Sequence, residues 1–96
     1  MTVPVSLIEE ATGWRRTLHA RPELGYQEHH TSQLIAEQLE AFGLQVHRGL
    51  AGTCVVGTLE NGPGPVIGLR ADMDALPITE LSSPPHRSSN PGVMHA

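Results

Sequence analysis

The stretch Leu69–Pro77, which reads LRADMDALP, decides how this sequence is expected to fold and where its chemistry is expected to lie. Together with the preceding apolar residues Val66–Gly68 it predicts a buried strand that ends in two carboxylates. Because residues two apart in a strand point to the same face, Asp72 and Asp74 are expected to project side by side. The ends of such strands carry the chemistry of many α/β proteins. Two neighbouring carboxylates repel each other and need a cation, a base or water nearby.

The length of the chain allows one small domain, but its composition fits a piece of a larger core better than a self-sufficient one. The chain has 96 residues, of which 39% are hydrophobic and only 3% aromatic, so a core built from it is modest. Its formal net charge is -4 and it has no basic stripe, which excludes nucleic acid as an expected partner. Cys54 is the single cysteine, so no internal disulfide can form. Without a signal peptide or an apolar run of about 20 residues, a cytoplasmic protein with no membrane partner is expected.

The spacing of apolar residues predicts two helices followed by strands. The first helix is expected over about Val5–His19 and the second over about Glu28–Phe42, with Gly43 as a left-handed stop. The period then becomes extended, which predicts two strands joined through Gly49–Gly52 and a third strand over Val66–Leu69. The predicted fold class is α/β, with two helices packed on a sheet of at least three strands.

One face of the second helix is predicted to pack on this sheet. Its apolar stripe comprises Leu34, Ile35, Leu39 and Phe42. The strands at Val55 and Ile67 are the expected contacts of the stripe. Residues 81–92 are rich in Ser, Pro, His, Arg and Asn and predict an exposed loop.

Four blocks resemble the M20 metallopeptidase family, in the branch of aminoacylases, hippurate hydrolases and auxin-conjugate amidohydrolases. Arg15–Gly25 (RRTLHARPELG) resembles the branch's N-terminal signature, and Gly49–Thr53 (GLAGT) is similar to the turn before its second strand. Leu69–Ile78 (LRADMDALPI) and Pro91–Ala96 (PGVMHA) match two further blocks of that branch. The resemblance runs from about Trp14 to the last residue.

The resemblance implies that residues 1–96 are the N-terminal portion of a catalytic domain, without the lid or dimerisation domain. In the family the next residues are Cys-Gly-His-Asp-Gly-His, which supply two metal ligands. The full-length protein is then expected to hydrolyse N-acyl amino acids such as hippurate with water activated by two divalent ions, Zn, Mn, Co or Ni. The resemblance leaves a homo-oligomeric full-length protein open. Residues 1–96 alone are expected to be inactive and to bind no metal.

Two alternatives to this function remain open. The chain is either a non-catalytic truncated product or an interaction module, or it comes from an M20 enzyme of different specificity, such as an N-acetyl-diaminopimelate deacetylase. Nothing in these residues separates the M20 specificities, because the acyl pocket and the lid domain are expected further along the chain.

The resemblance makes Asp74 the candidate catalytic residue. It matches a family Asp that orients an active-site group beside the two metals, and its alternative role is to cap the next turn. Asp72 lies near the expected site, where other M20 branches carry a metal-binding His. Its alternative role is an ion pair with Arg70, Arg15 or Arg16.

His95 is expected near the site, as a residue of the pocket wall or one that supports a ligand. His19 is predicted to fix the junction between the first helix and the turn at Pro22. Cys54 is predicted to be a buried packing residue of a strand, with low reactivity. The other histidines are predicted to face solvent: His29, His30, His47 and His86.

Overall fold

Two helices and one β-hairpin make up the regular structure of residues 2–96, which the computed structural model describes. In chain order the elements are α1 (Val5–Ala20), α2 (His29–Ala41), β1 (Gln45–Leu50) and β2 (Cys54–Thr58). The chain divides into two units. The first unit contains the chain up to Leu24 together with Ala75–Ala96, and the second unit is Gly25–Asp74.

Both helices lie close to their predicted positions. After α1, the N–H of Arg21 donates to Leu18 O at 3.2 Å, and Pro22 prevents further helix because it has no N–H to donate. After α2, Gly43 adopts the left-handed φ of 86° that was predicted for it. Within residues 2–96, no helix has both the length and the apolar character needed to cross a membrane.

The predicted hairpin is confirmed. β1 and β2 are antiparallel, with Gln45 opposite Thr58 and Val46 opposite Gly57. The register shifts between Arg48 and Leu50, and the intervening Gly49 has a φ of 91°. A bulge of this kind favours glycine, because a side chain is strained at positive φ.

The helix α2 packs on one face of the hairpin, as predicted. A β-carbon placed on Gly57 would lie 2.9 Å from a methyl carbon of Leu44 and 3.1 Å from one of Leu39, so these side chains cover the strand closely. At the other end of the contact, Arg48 donates to the side chain of Gln33 at 2.7 Å. The prediction was wrong for Phe42, which is 55% exposed, because it follows the last residue of the helix.

The predicted third strand is not formed. Val66, Ile67 and Leu69 are 95%, 85% and 97% exposed, and no strand pairing involves them within residues 2–96. An apolar sequence can be extended without being a strand, because a strand requires a neighbour to complete its hydrogen bonds. The sheet described here therefore has two strands, and Ile67 does not contribute to the surface that α2 covers.

In the first unit, the segment after Asp74 returns to the end of α1. The N–H of Ala75 donates to Glu23 O at 2.8 Å, and Leu76 and Met94 exchange two backbone hydrogen bonds at 2.9 and 3.0 Å. The N–H of Ser89 donates to Ala20 O at 2.9 Å. The predicted loop over residues 81–92 has no helix or strand, but these hydrogen bonds hold it against its own unit.

The packing at Gly57 predicts opposite effects for two glycine substitutions. Gly57→Ala is expected to destabilise the protein by about 1 kcal/mol, because the new methyl group overpacks the leucine side chains. Gly13→Ala in α1, where a β-carbon meets nothing within 4 Å, is expected to stabilise it by about 0.5–1 kcal/mol. Urea unfolding of both variants measures the difference. A stabilising Gly57→Ala contradicts the close contact.

Candidate functional site

Asp74 is exposed and lies at the end of the second unit. A β-carbon placed on Gly25 would lie 3.7 Å from Asp74 Oδ2 and 3.7 Å from Glu28 Oε1. The backbone at Gly25 is therefore next to two carboxylates, one exposed and one buried. A side chain at this position would therefore contact both carboxylates.

Glu28 is a buried carboxylate that the sequence analysis missed. It is 6% exposed, and the equally buried Thr53 donates its hydroxyl to Glu28 Oε2 at 2.5 Å. The carbonyl of Glu28 also accepts the N–H of Ser32 at 2.9 Å, in the first turn of α2. This contact joins the start of α2 to the turn before β2. No local pattern indicates it, because the two side chains are 25 residues apart.

Asp72 forms an ion pair at the surface. Arg70 donates to Asp72 Oδ1 at 3.0 Å, and the two side chains are 85% and 73% exposed. The pairing with Arg70 that was considered as an alternative is therefore present. Exposed pairs of this kind contribute little to stability because water and salt screen them.

A second buried carboxylate, Glu80, lies in the first unit and was also missed. It is 5% exposed, and His19 Nε2 lies 3.0 Å from its Oε1 and 3.1 Å from its Oε2. The backbone N–H of Ser88 donates to Oε1 at 2.8 Å. His19 thus pairs with a residue 61 positions away, rather than serving only the local junction at Pro22.

The surroundings of Glu80 and His86 lower the pKa of both side chains. The hydrogen bond from the Ser88 N–H, with a smaller contribution from His19, holds the pKa of the Glu80 carboxyl below its ordinary value despite burial. Burial, reinforced by the positive charge of Arg16, lowers the pKa of His86. Glu80 is therefore ionised at neutral pH, and the His19 Nε2 that faces it carries the proton.

The remaining predicted residues divide between the two units. His95 is half-buried in the first unit, whereas Asp74 belongs to the second. His86 is half-buried, with its ring 5.5 Å from that of His19 at 76°, so the prediction that it faces solvent was wrong. His30 is half-buried as well, while His29 and His47 are exposed as predicted.

Cys54 is exposed, and the prediction of a buried packing residue was wrong. In β2, Cys54 and Val56 alternate with Val55 and Gly57, and Gly57 is on the face that α2 covers. Cys54 therefore lies on the opposite, open face of the hairpin. The alternation of a strand, rather than its apolar composition, decides the exposure of this thiol.

The described residues do not form a metal site by themselves. Within residues 2–96, no three His, Cys, Asp or Glu side chains are grouped so that they could hold a metal ion. Asp74, the candidate from the sequence, is exposed and lies next to Gly25. One carboxylate can orient a neighbouring group or accept a proton, but it does not complete a hydrolytic site.

Relatives share much of this sequence. The chain is 46% identical over 88 residues to an N-acyl-L-amino acid amidohydrolase of Geobacillus stearothermophilus, and the match covers 91% of this chain and 24% of the relative. It is 46% identical over 83 residues to a hippurate hydrolase of Campylobacter jejuni, covering 85% of this chain and 22% of the relative. The chain thus spans about a quarter of the length of these relatives. No family model matches the sequence.

The fold is also shared with a solved structure. The YXEP protein of Bacillus subtilis, described as a dinuclear metal-binding peptidase from the M20 family, superposes with a TM-score of 0.87 and 35% sequence identity. The superposition covers 97% of this chain and 26% of that protein. The chain is therefore similar in fold to a segment of this peptidase.

The buried contact of Glu28 predicts that Thr53→Val destabilises the protein by about 1.5–3 kcal/mol. Valine keeps the shape of threonine but leaves the buried carboxylate without its hydroxyl donor. Thr58→Val, at an exposed position of β2, is the matched control and is expected to have little effect. Chemical denaturation of both variants compares the two. Equal stability of the two variants contradicts the contact.

The buried contact of Glu80 predicts a pH-dependent stability. Because the pKa of folded Glu80 is below its ordinary value of 4.5, its ionised form favours folding above that pH. The contribution is lost as the pH falls through the lower pKa of the folded state. The stability difference between the unmodified protein and Glu80→Gln is therefore expected to shrink below pH 4.5 in urea unfolding. A difference that does not depend on pH contradicts this assignment, and Glu60→Gln is the control at an exposed position.

Proposed function

We propose that the chain belongs to the M20 family of metallopeptidases and that the whole protein is a metal-dependent amidohydrolase of N-acyl amino acids. By whole protein we mean a chain of the relatives' length that contains this segment. The observation that carries the proposal is the identity of 46% over 88 residues with an amidohydrolase of that substrate class. The family block at Leu69–Ile78, which contains Asp74, supports it.

The proposed substrates are hippurate-like, with an acyl group joined through an amide to an amino acid. The similarity to a hippurate hydrolase supports this narrower class. The reaction breaks the amide carbon–nitrogen bond with water, giving a carboxylic acid and a free amino acid. The proposed reaction needs no redox cofactor, because hydrolysis of an amide neither oxidises nor reduces the substrate.

We further propose that the whole protein uses two divalent metal ions, which is supported by the description of the similar peptidase as dinuclear. The residues described here do not fit such a centre by themselves, since they contain no group of three metal-binding side chains. The proposed contribution of this segment is therefore positional. Asp74 would orient a neighbouring group from its place beside Gly25.

The segment is proposed to be the N-terminal portion of a catalytic domain whose sheet has at least three strands. The support is the apolar run Val66–Leu69, in which Val66, Ile67 and Leu69 expose nearly all of their surface. Apolar side chains of this size gain about 1.5–3 kcal/mol each on full burial. Pairing of this run with a further strand would satisfy its backbone, and packing against the faces of the extended sheet would bury these side chains next to the block that carries Asp74. A cytoplasmic location stays a prediction of the sequence.

The role of Asp74 is tested by Asp74→Asn in the whole protein. Fusion of these 96 residues to the remaining part of the Geobacillus amidohydrolase provides such a protein. Loss of an orienting carboxylate is expected to lower kcat/KM for hippurate by about 10–100-fold while the circular dichroism spectrum is retained. Glu60→Gln, which neutralises an exposed carboxylate elsewhere, is the control. Unchanged turnover and metal content in Asp74→Asn would show that the assignment is wrong.

Residues 1–96 alone are predicted to bind no stoichiometric zinc or manganese and to have no amidase activity above background. Among residues 2–96, which the structure describes, too few candidate ligands lie together to hold an ion in an open catalytic geometry. Calorimetric titration with each metal, followed by an assay with hippurate, measures both properties. Tight binding of about one ion per chain, or turnover, contradicts the prediction.

A further inference from the structure

Glu80 receives hydrogen bonds from two distant parts of the first unit. His19 in the last turn of α1 approaches both carboxylate oxygens, at 3.0 and 3.1 Å. The backbone N–H of Ser88 reaches Oε1 at 2.8 Å, from eight residues further along the chain. Because Glu80 is only 5% exposed, these donors replace the water that an ionised carboxylate would otherwise bind.

Ser88 extends the hydrogen bonds around Glu80 toward His95. Its Oγ donates to the carbonyl of Val93 at 2.7 Å and accepts the N–H of Asn90 at 3.1 Å. The N–H of Val93 in turn donates to Asn90 O at 3.1 Å. The hydroxyl group of Ser88 therefore links both ends of the turn from Ser88 to Val93.

The connection reaches the residue that precedes His95. Met94 follows the buried Val93 and exchanges two backbone hydrogen bonds with Leu76. A continuous path of bonded groups thus runs from His19 through Glu80 and Ser88 to Val93 and Met94. Ser89, by contrast, bonds through both its N–H and its Oγ to Ala20, at 2.9 and 2.6 Å.

We propose that Glu80 is a positioning residue that, acting through Ser88, holds the backbone of Val93 and Met94, and with it His95, in the orientation that amide hydrolysis requires. The structural part of this proposal concerns the first unit alone. Its catalytic part rests on the proposed function. Glu80 itself is not assigned contact with substrate or with reacting atoms.

Amide hydrogen exchange in the 96-residue chain at pH 7 tests the structural part. Glu80→Gln and Ser88→Ala are each expected to lower the protection of the Leu76 and Met94 amides by about 10–100-fold, as loss of a hydrogen bond to a charged or buried group does. The amides of the β1–β2 hairpin, in the second unit, are expected to keep their protection. If Glu80→Gln fails to fold, Ser88→Ala still decides the test, because it keeps the buried carboxylate and its Ser88 N–H bond.

The double variant distinguishes a connected path from two independent contributions. If Glu80 acts through Ser88, the double variant loses no more protection than the more affected single variant. Ser89→Ala is the matched control, since it removes a hydroxyl one residue away that bonds to α1. Additive losses in the double variant, or an equal loss in Ser89→Ala, would overturn the path.

Activity of the fusion protein tests the catalytic part. Across the Glu80 and Ser88 variants, kcat/KM for hippurate is expected to fall in the same order as the protection of the Met94 amide. Ser88→Thr keeps the hydroxyl and is expected to retain most of the kcat/KM and most of the protection. Lost protection with unchanged kcat/KM overturns the positioning role. Absence of activity in the unmodified fusion counts against the proposed function instead, and the exchange result still decides the structural part.

Discussion

The need to satisfy buried carboxylates is the constraint on which this structure depends. Glu80 lies in the first unit with 5% exposure, and an ionised group at that depth is strongly unfavourable unless donors surround it. Supplying those donors brings the end of α1 and the Ser88 turn to the same point. Since the buried apolar side chains described in this unit are few and small, namely Pro22, Ala75 and Val93, hydrogen bonds rather than a large core organise it.

The second unit follows the same principle at Glu28. Its carboxylate accepts the hydroxyl of Thr53 and so ties the start of α2 to the turn before β2, while Leu39 closes the other end of the contact over Gly57. These contacts hold α2 against the hairpin. At Gly25, the carboxylates of Glu28 and Asp74 approach the same point of the backbone. A rigid support of this kind suits the positioning role proposed for Asp74, because an orienting carboxylate acts only if its own place is defined.

Apolar surface that remains open bears on the proposed function as well. Val66, Ile67 and Leu69 are almost fully exposed, although the sequence around them matches the family block that contains Asp74. Patches of this kind are typical of surfaces that become buried against another part of a protein. They support the proposal that the sheet continues in a protein of the relatives' length. The spacing of apolar residues alone could not reveal that no strand pairs with this run within residues 2–96.

Local rules in the sequence determined the two helices, the stop at Gly43 and the hairpin, because each depends on contacts between residues a few positions apart. The block around Asp74 likewise indicated the family from the sequence alone. Only the tertiary structure decided that His19 pairs with Glu80, that Glu28 pairs with Thr53 and that Cys54 faces solvent. The first two contacts join residues 61 and 25 positions apart, and no local pattern encodes such a pairing. The exposure of Cys54 depends on which face of the hairpin α2 covers, and that choice is made by packing rather than by composition.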